Sequence, residues 1–211
     1  MENTIAKKVA SLLLEINAIK IRPNDPFTWA SGWKSPIYCD NRLSLSHPHA
    51  RTYIKHALSS KIQEQFADVE AIVGVATAGI PQGALIADAL GIPFAYVRSK
   101  PKGHGMTNMI EGELKAGAKV VVIEDLISTG GSSLKAAAAL KEAGIEVLGM
   151  AAIFTYGFDL SVNNFKEAGI PLVTLSNYDA MLELALEQDY IKAEDIDSLK
   201  SWRVAPSEWN Q

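Results

Sequence analysis

A chain of 211 residues with 48% apolar and 21% charged residues has the balance of a globule with a true core, which excludes intrinsic disorder. A domain of this size buries roughly 70% of its unfolded surface without help from disulfides or metals, and the lone Cys39 excludes a disulfide framework and any CxxC zinc or redox site while suiting a reducing cytoplasm. Twenty-four acidic against twenty basic residues give a formal charge of −4, which argues against a protein that coats nucleic acid.

No segment approaches the ~20 uninterrupted apolar residues that span a bilayer. The first residues, from Met1 to Ile5, lack the basic and then apolar pattern of a secretory leader. Ile5, Val9, Leu12, Leu13, Ile16 and Ile19 recur at helical spacing, so the first element is predicted as an amphipathic helix over about 3–19, ending before Pro23. Residues 24–45, rich in proline, serine, glycine and aromatics, read as short strands and turns. A second helix begins near Pro48, with Tyr53, Ile54, Ala57, Leu58, Ile62 and Phe66 on one side.

From Ala71 the pattern changes to short apolar strands, each followed by a helical run, as expected of a parallel sheet covered on both faces. Strands are predicted at 71–75, 94–97, 119–123, 147–154 and 172–175, with helices at about 80–90, 131–143 and 160–168 between them. Residues 99–117 are polar and show no apolar period, the mark of a functional loop. Two further helices, near 179–188 and 193–202, finish the chain. The whole reads as one domain, with short strands from about 20–45, an α/β core from about 48–176 and C-terminal helices from about 177–211.

Ligands of open parallel sheets bind at the carboxyl ends of the strands. The most informative segment there is VVVIEDLISTGGSS, residues 120–133, an apolar strand running into Glu124 and Asp125 and then into a hydroxyl- and glycine-rich turn that opens an Ala-rich helix. Gly130 and Gly131 permit a tight turn and close approach to a ligand. Ser128, Thr129, Ser132 and Ser133 supply hydroxyls, and the helix N-terminus supplies N–H groups. That is a cradle for a phosphate monoester, with carboxylates placed to accept from sugar hydroxyls or to hold magnesium through water. An N-capped helix after a strand would carry the same small residues, but two carboxylates at the end of a buried strand weigh against that plainer reading. Neither a GxxxxGK[ST] P-loop nor a GxGxxG fingerprint occurs. Residues 74–81 form a second strand–turn–helix whose small residues suit pyrophosphate or simply close packing. Arg98, Lys100, Lys102 and His104 place four potential cations in the long loop, a solvated stretch on its own and a lid beside a phosphate cradle.

The stretch from Glu124 to Gly131 resembles the motif with which type I phosphoribosyltransferases hold 5-phosphoribosyl 1-pyrophosphate. Arg98, Lys100, Lys102, His104 and Gly105 resemble the mobile catalytic loop of that family's orotate-using branch, and FTWASGWKSPIYCDNR, residues 27–42, resembles the branch's small N-terminal hood over the base. The similarity covers nearly all of residues 3–200.

The resemblance implies the α/β fold of that family, a central parallel sheet flanked by helices, and transfer of ribose 5-phosphate from 5-phosphoribosyl 1-pyrophosphate to orotate. It implies Mg2+, held mainly through substrate and water, a homodimer in which Arg98 reaches the neighbouring site, and a cytoplasmic location. Glu124 and Asp125 would bind the ribose hydroxyls. Ser128, Thr129, Gly130, Gly131 and Ser132 would hold the 5′-phosphate, with Ser128 also touching orotate, and Leu126 and Ile127 would complete the donor-binding stretch. Lys102 and His104 would meet the pyrophosphate, Arg98 and Lys100 would also bind the phosphoribosyl donor, and Lys102, His104 and Asp125 would be catalytic, His104 either as a proton donor or as a phosphate ligand. Ala78 and Ser99 stand where some relatives carry lysine, and the segment from Phe154 to Phe158 lacks an arginine that some relatives set against orotate. Lys34 and Arg42 are the substitutes on the hood segment.

A purine phosphoribosyltransferase would share the carboxylate motif but not the loop or hood. A nucleotide-sensing regulator of the same fold would call for an added DNA-binding region or a basic face, which this chain lacks. Cys39 reads as a small core or hood residue, His47, His49 and His56 as surface or capping residues, and Trp202 and Trp209 as packing residues.

Overall fold

The computed structural model of the chain describes residues 2–29, 32–99 and 109–209. Helix α1 (Glu2–Glu15) leads into short strands β1 (Ile19–Ile21), β2 (Phe27–Thr28), β3 (Lys34–Ser35) and β4 (Ile37–Cys39), a 3-10 turn (Asn41–Ser46) and helix α2 (Pro48–Gln65). The α/β part follows as β5 (Ala71–Val75), α3 (Gly79–Leu90), β6 (Phe94–Val97), β7 (Ile110–Glu111), β8 (Lys119–Ile127), α4 (Gly131–Glu142), β9 (Glu146–Thr155), α5 (Asp159–Glu167) and β10 (Leu172–Asn177). Helix α6 (Tyr178–Glu187), a 3-10 turn (Ala193–Asp195) and α7 (Ile196–Val204) complete it.

The main sheet has the order β10-β9-β8-β5-β6-β7, parallel throughout except for β7, which pairs antiparallel with β6. The chain enters at β5, steps to β6 on one side and then crosses to β8 on the other. The carboxyl ends of β5 and β8 therefore flank the switch point, where an open α/β sheet leaves a crevice. Alternate side chains build two cores. Ile72, Val121, Ile123 and Ile153 pack with α1, α2, α3 and α6, whereas Val73, Val120, Val122 and Ala152 pack with α4 and α5. No described helix is long and apolar enough to cross a membrane.

Three expectations are corrected. The first helix stops at Glu15, because Asn17 takes the left-handed conformation (φ 57°) and the Ala18 amide closes back on the Leu13 carbonyl, an αL helix end. Ile19 then belongs to β1, opposite Cys39, and is buried there as it would have been on a helix. Residues 99–117 are not wholly without structure. Ile110 and Glu111 form the antiparallel edge strand β7, too short to show a period. Strand β8 does not stop at residue 123 but continues to Ile127, because β9 pairs along it as far as Thr155.

Candidate active site

The longer β8 changes the setting of the two carboxylates, which lie inside a paired strand rather than beyond it: Glu124 is in register with Ala152. Val120, Val121, Val122, Ile123 and Ile127 are fully buried around them, each contributing ~1.5–3 kcal/mol, which outweighs the cost of burying one carboxyl group. Glu124 is only 7% exposed and leans toward α4. Its Oε2 accepts from Ser133 Oγ at 3.1 Å, and its Oε1 accepts from the Asp125 amide at 3.2 Å. Burial, and then the neighbouring Asp125 charge, push its pKa up to about 8. Burial also raises Asp125, opposed by the Glu124 hydrogen bond and the Arg42 charge on the hood side. The site thus stores two carboxyl groups that are costly to ionise together, and incoming hydroxyl donors or a cation would relieve that cost.

Beyond Ile127 the chain turns through Ser128–Gly130 into α4. The Ile127 side chain is core, and its carbonyl accepts from the Tyr156 amide at 3.1 Å and from Thr155 Oγ1 at 3.2 Å, so it borders the site through its main chain alone. Ser128 and Thr129 are half-buried, whereas Gly131 and Ser132 are exposed at the opening of α4. Ser133 turns inward to Glu124 instead of joining the other hydroxyls at the rim. Gly130 has φ 80°, and a Cβ there would lie 2.7 Å from Phe165 Cε2, so both conformation and space demand glycine. The amide of Asn164, beside Phe165 on α5, donates to the Thr129 carbonyl at 3.0 Å.

Across the switch point, residues 76–78 link β5 to α3, with a cis peptide bond between Ala76 and Thr77. A Cβ on Gly79 would collide with the Ile123 carbonyl. This close approach brings the start of α3 against β8, one residue before Glu124, so the two turns share one rim.

The hood segment closes a third side. Asn41, 1% exposed, donates through Nδ2 to the Asp125 carbonyl at 2.7 Å and accepts from Cys39 Sγ at 3.3 Å. The Asn41 carbonyl accepts from Ser44 Oγ, which in turn accepts from Gln82 Nε2 of α3 at 3.1 Å. Trp29 stacks on Tyr156 and meets Trp202 of α7 edge-on, so the buried Trp202 is a packing residue, as is Trp209. Cys39 is a half-buried hood residue. Exposed His49 and His56 show no ligand grouping among the described residues. Arg42 makes a two-pronged pair with Asp40 (2.6 and 2.8 Å), and Lys34 donates to Thr28 Oγ1 at 2.9 Å across the β2–β3 hairpin. Of these two residues, Arg42 is the one whose charge acts on Asp125.

Arg98 follows β6, with its amide bonded to the Met109 carbonyl (2.8 Å) and its guanidinium 3.3 Å from Glu111 on β7. It therefore stands at the stem of the loop. Lys100, Lys102, His104 and Gly105 lie outside the described residues. Sequence reasoning missed Asn41, Asn164, Gln82 and Glu111, which act through neighbours remote in sequence. The only local signal was the position of Asn41 directly after Asp40 in the hood motif.

Two carboxylates at a switch point, a glycine-dependent turn opening a helix and a hood over both define a phosphoribosyltransferase, and a family model described as the phosphoribosyl transferase domain matches residues 45–167. The chain is 59% identical over 206 residues to the orotate phosphoribosyltransferase of Porphyromonas gingivalis, covering 98% of each. It superposes with a TM-score of 0.76 on the orotate phosphoribosyltransferase of Aeropyrum pernix, at 28% identity over 87% of this chain and 99% of that one. It also shares its fold with the UMP synthase of Leishmania donovani (TM-score 0.79, 24% identity), where 94% of this chain spans 42% of the longer one. The chain belongs to the orotate phosphoribosyltransferase family.

Proposed function

We propose that this chain joins orotate, through N1, to the ribose 5-phosphate of 5-phosphoribosyl 1-pyrophosphate, releasing pyrophosphate and forming orotidine 5′-monophosphate for UMP synthesis. The observation that carries the reading is the buried Glu124–Asp125 pair on β8, running straight into the glycine-dependent turn at Gly130.

The chemical difficulty is charge. As the C1–O bond breaks, positive character grows on the ribose and negative charge on the departing pyrophosphate. Asp125 and Glu124 accept from the ribose hydroxyls, fix the ring and set negative charge beside it. The turn from Ser128 to Ser132 holds the 5′-phosphate through N–H groups at the start of α4, and Ser128 borders the orotate side. Lys102 and His104 serve the pyrophosphate, Lys102 neutralising the leaving group and His104 donating to it, with Lys100 as a further donor-binding cation and Arg98 supplied by the partner chain. Arg42 and Lys34 are the hood cations for the orotate carboxylate, and Arg42 must leave part of its pairing with Asp40 to serve. The carboxylate oxygens of Glu124 and Asp125 suit a hard cation such as Mg2+, which supplies Lewis-acid stabilisation of pyrophosphate. Two carboxylates alone would leave most of the coordination of such a cation to substrate oxygens and water.

The enzyme works in the cytoplasm as a homodimer, with Arg98 reaching the partner's site. Mixing Arg98→Ala with Asp125→Asn chains should then restore activity, since one hybrid site keeps both residues; no restoration would keep Arg98 in its own site. The test of the function itself is magnesium-dependent loss of orotate absorbance on addition of 5-phosphoribosyl 1-pyrophosphate, with uracil, hypoxanthine and adenine as parallel acceptors. Turnover with orotate alone is expected. Turnover with a purine, or donor binding without turnover, would overturn the reading.

A further inference from the structure

We infer that Asn164 is a positioning residue for the phosphate turn, one that aims the Gly130 N–H at the 5′-phosphate; the inference rests on the function proposed above. The Asn164 side chain, half-buried on α5, donates to the Thr129 carbonyl at 3.0 Å, joining residues 35 apart in sequence. In a trans peptide the carbonyl and the following N–H lie on opposite edges of one plane. Holding the Thr129 oxygen on the α5 side therefore turns the Gly130 N–H away from α5.

The next residue of the same helix supports this from below. The Phe165 ring lies so close to Gly130 that a Cβ there would meet Cε2 at 2.7 Å. Gly130 has the freest backbone in the turn, with φ 80°, and without an external hold its flanking peptides could rotate at little cost. The Gly130 carbonyl already accepts the Leu134 amide at 2.9 Å, which fixes the far side of the residue and leaves the Thr129–Gly130 peptide as the element that Asn164 orients. Helix α5 thus acts on the turn from outside the strand–turn–helix unit that carries it. The Asn164 amide supplies orientation and the Phe165 ring supplies a floor.

The test separates the two ends of the donor. Dissociation constants for ribose 5-phosphate and for magnesium pyrophosphate are measured by calorimetry on the wild type, on Asn164→Ala and on the near-isosteric Asn164→Asp, which cannot donate. Both variants are expected to bind ribose 5-phosphate about five- to tenfold more weakly, the effect of one misdirected hydrogen-bond donor. Pyrophosphate affinity should stay within about twofold of the wild type, because its turn lies on the other side of the switch point. KM for the donor should rise with little change in kcat. Equal weakening of both ligands alongside a lowered Tm would make Asn164 merely structural, and unchanged ribose 5-phosphate affinity would remove it from the turn. Wild-type protein that bound neither ligand would overturn the functional reading itself, an outcome visible before any variant is measured.

Discussion

The side-chain amide of Asn41 donates to the Asp125 carbonyl at 2.7 Å, tying the hood to the strand that carries Glu124 and Asp125 across 84 residues of chain. Because Asn41 is buried, removing its amide takes from the Asp125 carbonyl a hydrogen bond that water cannot readily replace. Asn41→Ala is expected to destabilise the fold by about 1–3 kcal/mol, read by denaturant unfolding. It should also weaken donor binding, since the Asp125 main chain is then held less firmly. A variant with wild-type stability would show that water replaces the bond.

Asp125 itself accepts from sugar hydroxyls as a charged group in the proposed complex. Asp125→Asn should cost on the order of 1.5–3 kcal/mol in donor binding, measured by calorimetry with 5-phosphoribosyl 1-pyrophosphate. Unchanged affinity would take Asp125 out of the site.

Glu124 gives the apo protein a defined pH response. Its pKa in the fold is about 8, against an ordinary 4.5, so between those values the folded state keeps a proton that the unfolded chain has released. Stability from this group is full below the lower value and falls as pH rises toward the upper one. Thermal unfolding at pH 5, 6, 7 and 8 should show Tm declining across the series, and Glu124→Gln should flatten the decline. The same slope in wild type and variant would assign the response to another group.

Two neighbouring glycines should behave differently. Gly130→Ala forces a side chain into φ 80° and against the Phe165 ring, an expected loss of about 2–4 kcal/mol from strain and overpacking. A Cβ on Gly131 meets only Thr129 Oγ1, at 3.9 Å, so Gly131→Ala should leave Tm nearly unchanged. Comparable losses in both would point to a shared loss of helix capping instead.

In the proposed reaction Lys102 acts mainly in the transition state, where charge on pyrophosphate is greatest. Lys102→Ala should lower kcat and kcat/KM together in steady-state assays with orotate. A change confined to KM would make the lysine a ground-state ligand.

The alternation of strand and helix from Ala71 onward, the limits of β5 and β6, and the carboxylate–turn–helix unit at residues 124–133 are legible in the chain alone. Each of these is written in neighbouring residues: apolar runs fit for a sheet buried on both faces, and glycines where the backbone must turn tightly. The hydrophobic period could not tell Ile19 on a helix from Ile19 on a strand, because either placement buries it. That β8 runs on past Glu124 depends on packing, since its last residues are strand only because β9 lies beside them. Packing also decides which partners hold the site: Asn41 on Asp125, Asn164 on Thr129, Ser133 on Glu124 and Glu111 on Arg98. Such contacts leave no local pattern, because a hydrogen bond depends on distance and direction in space, which the chain sets only once both faces of the sheet are packed.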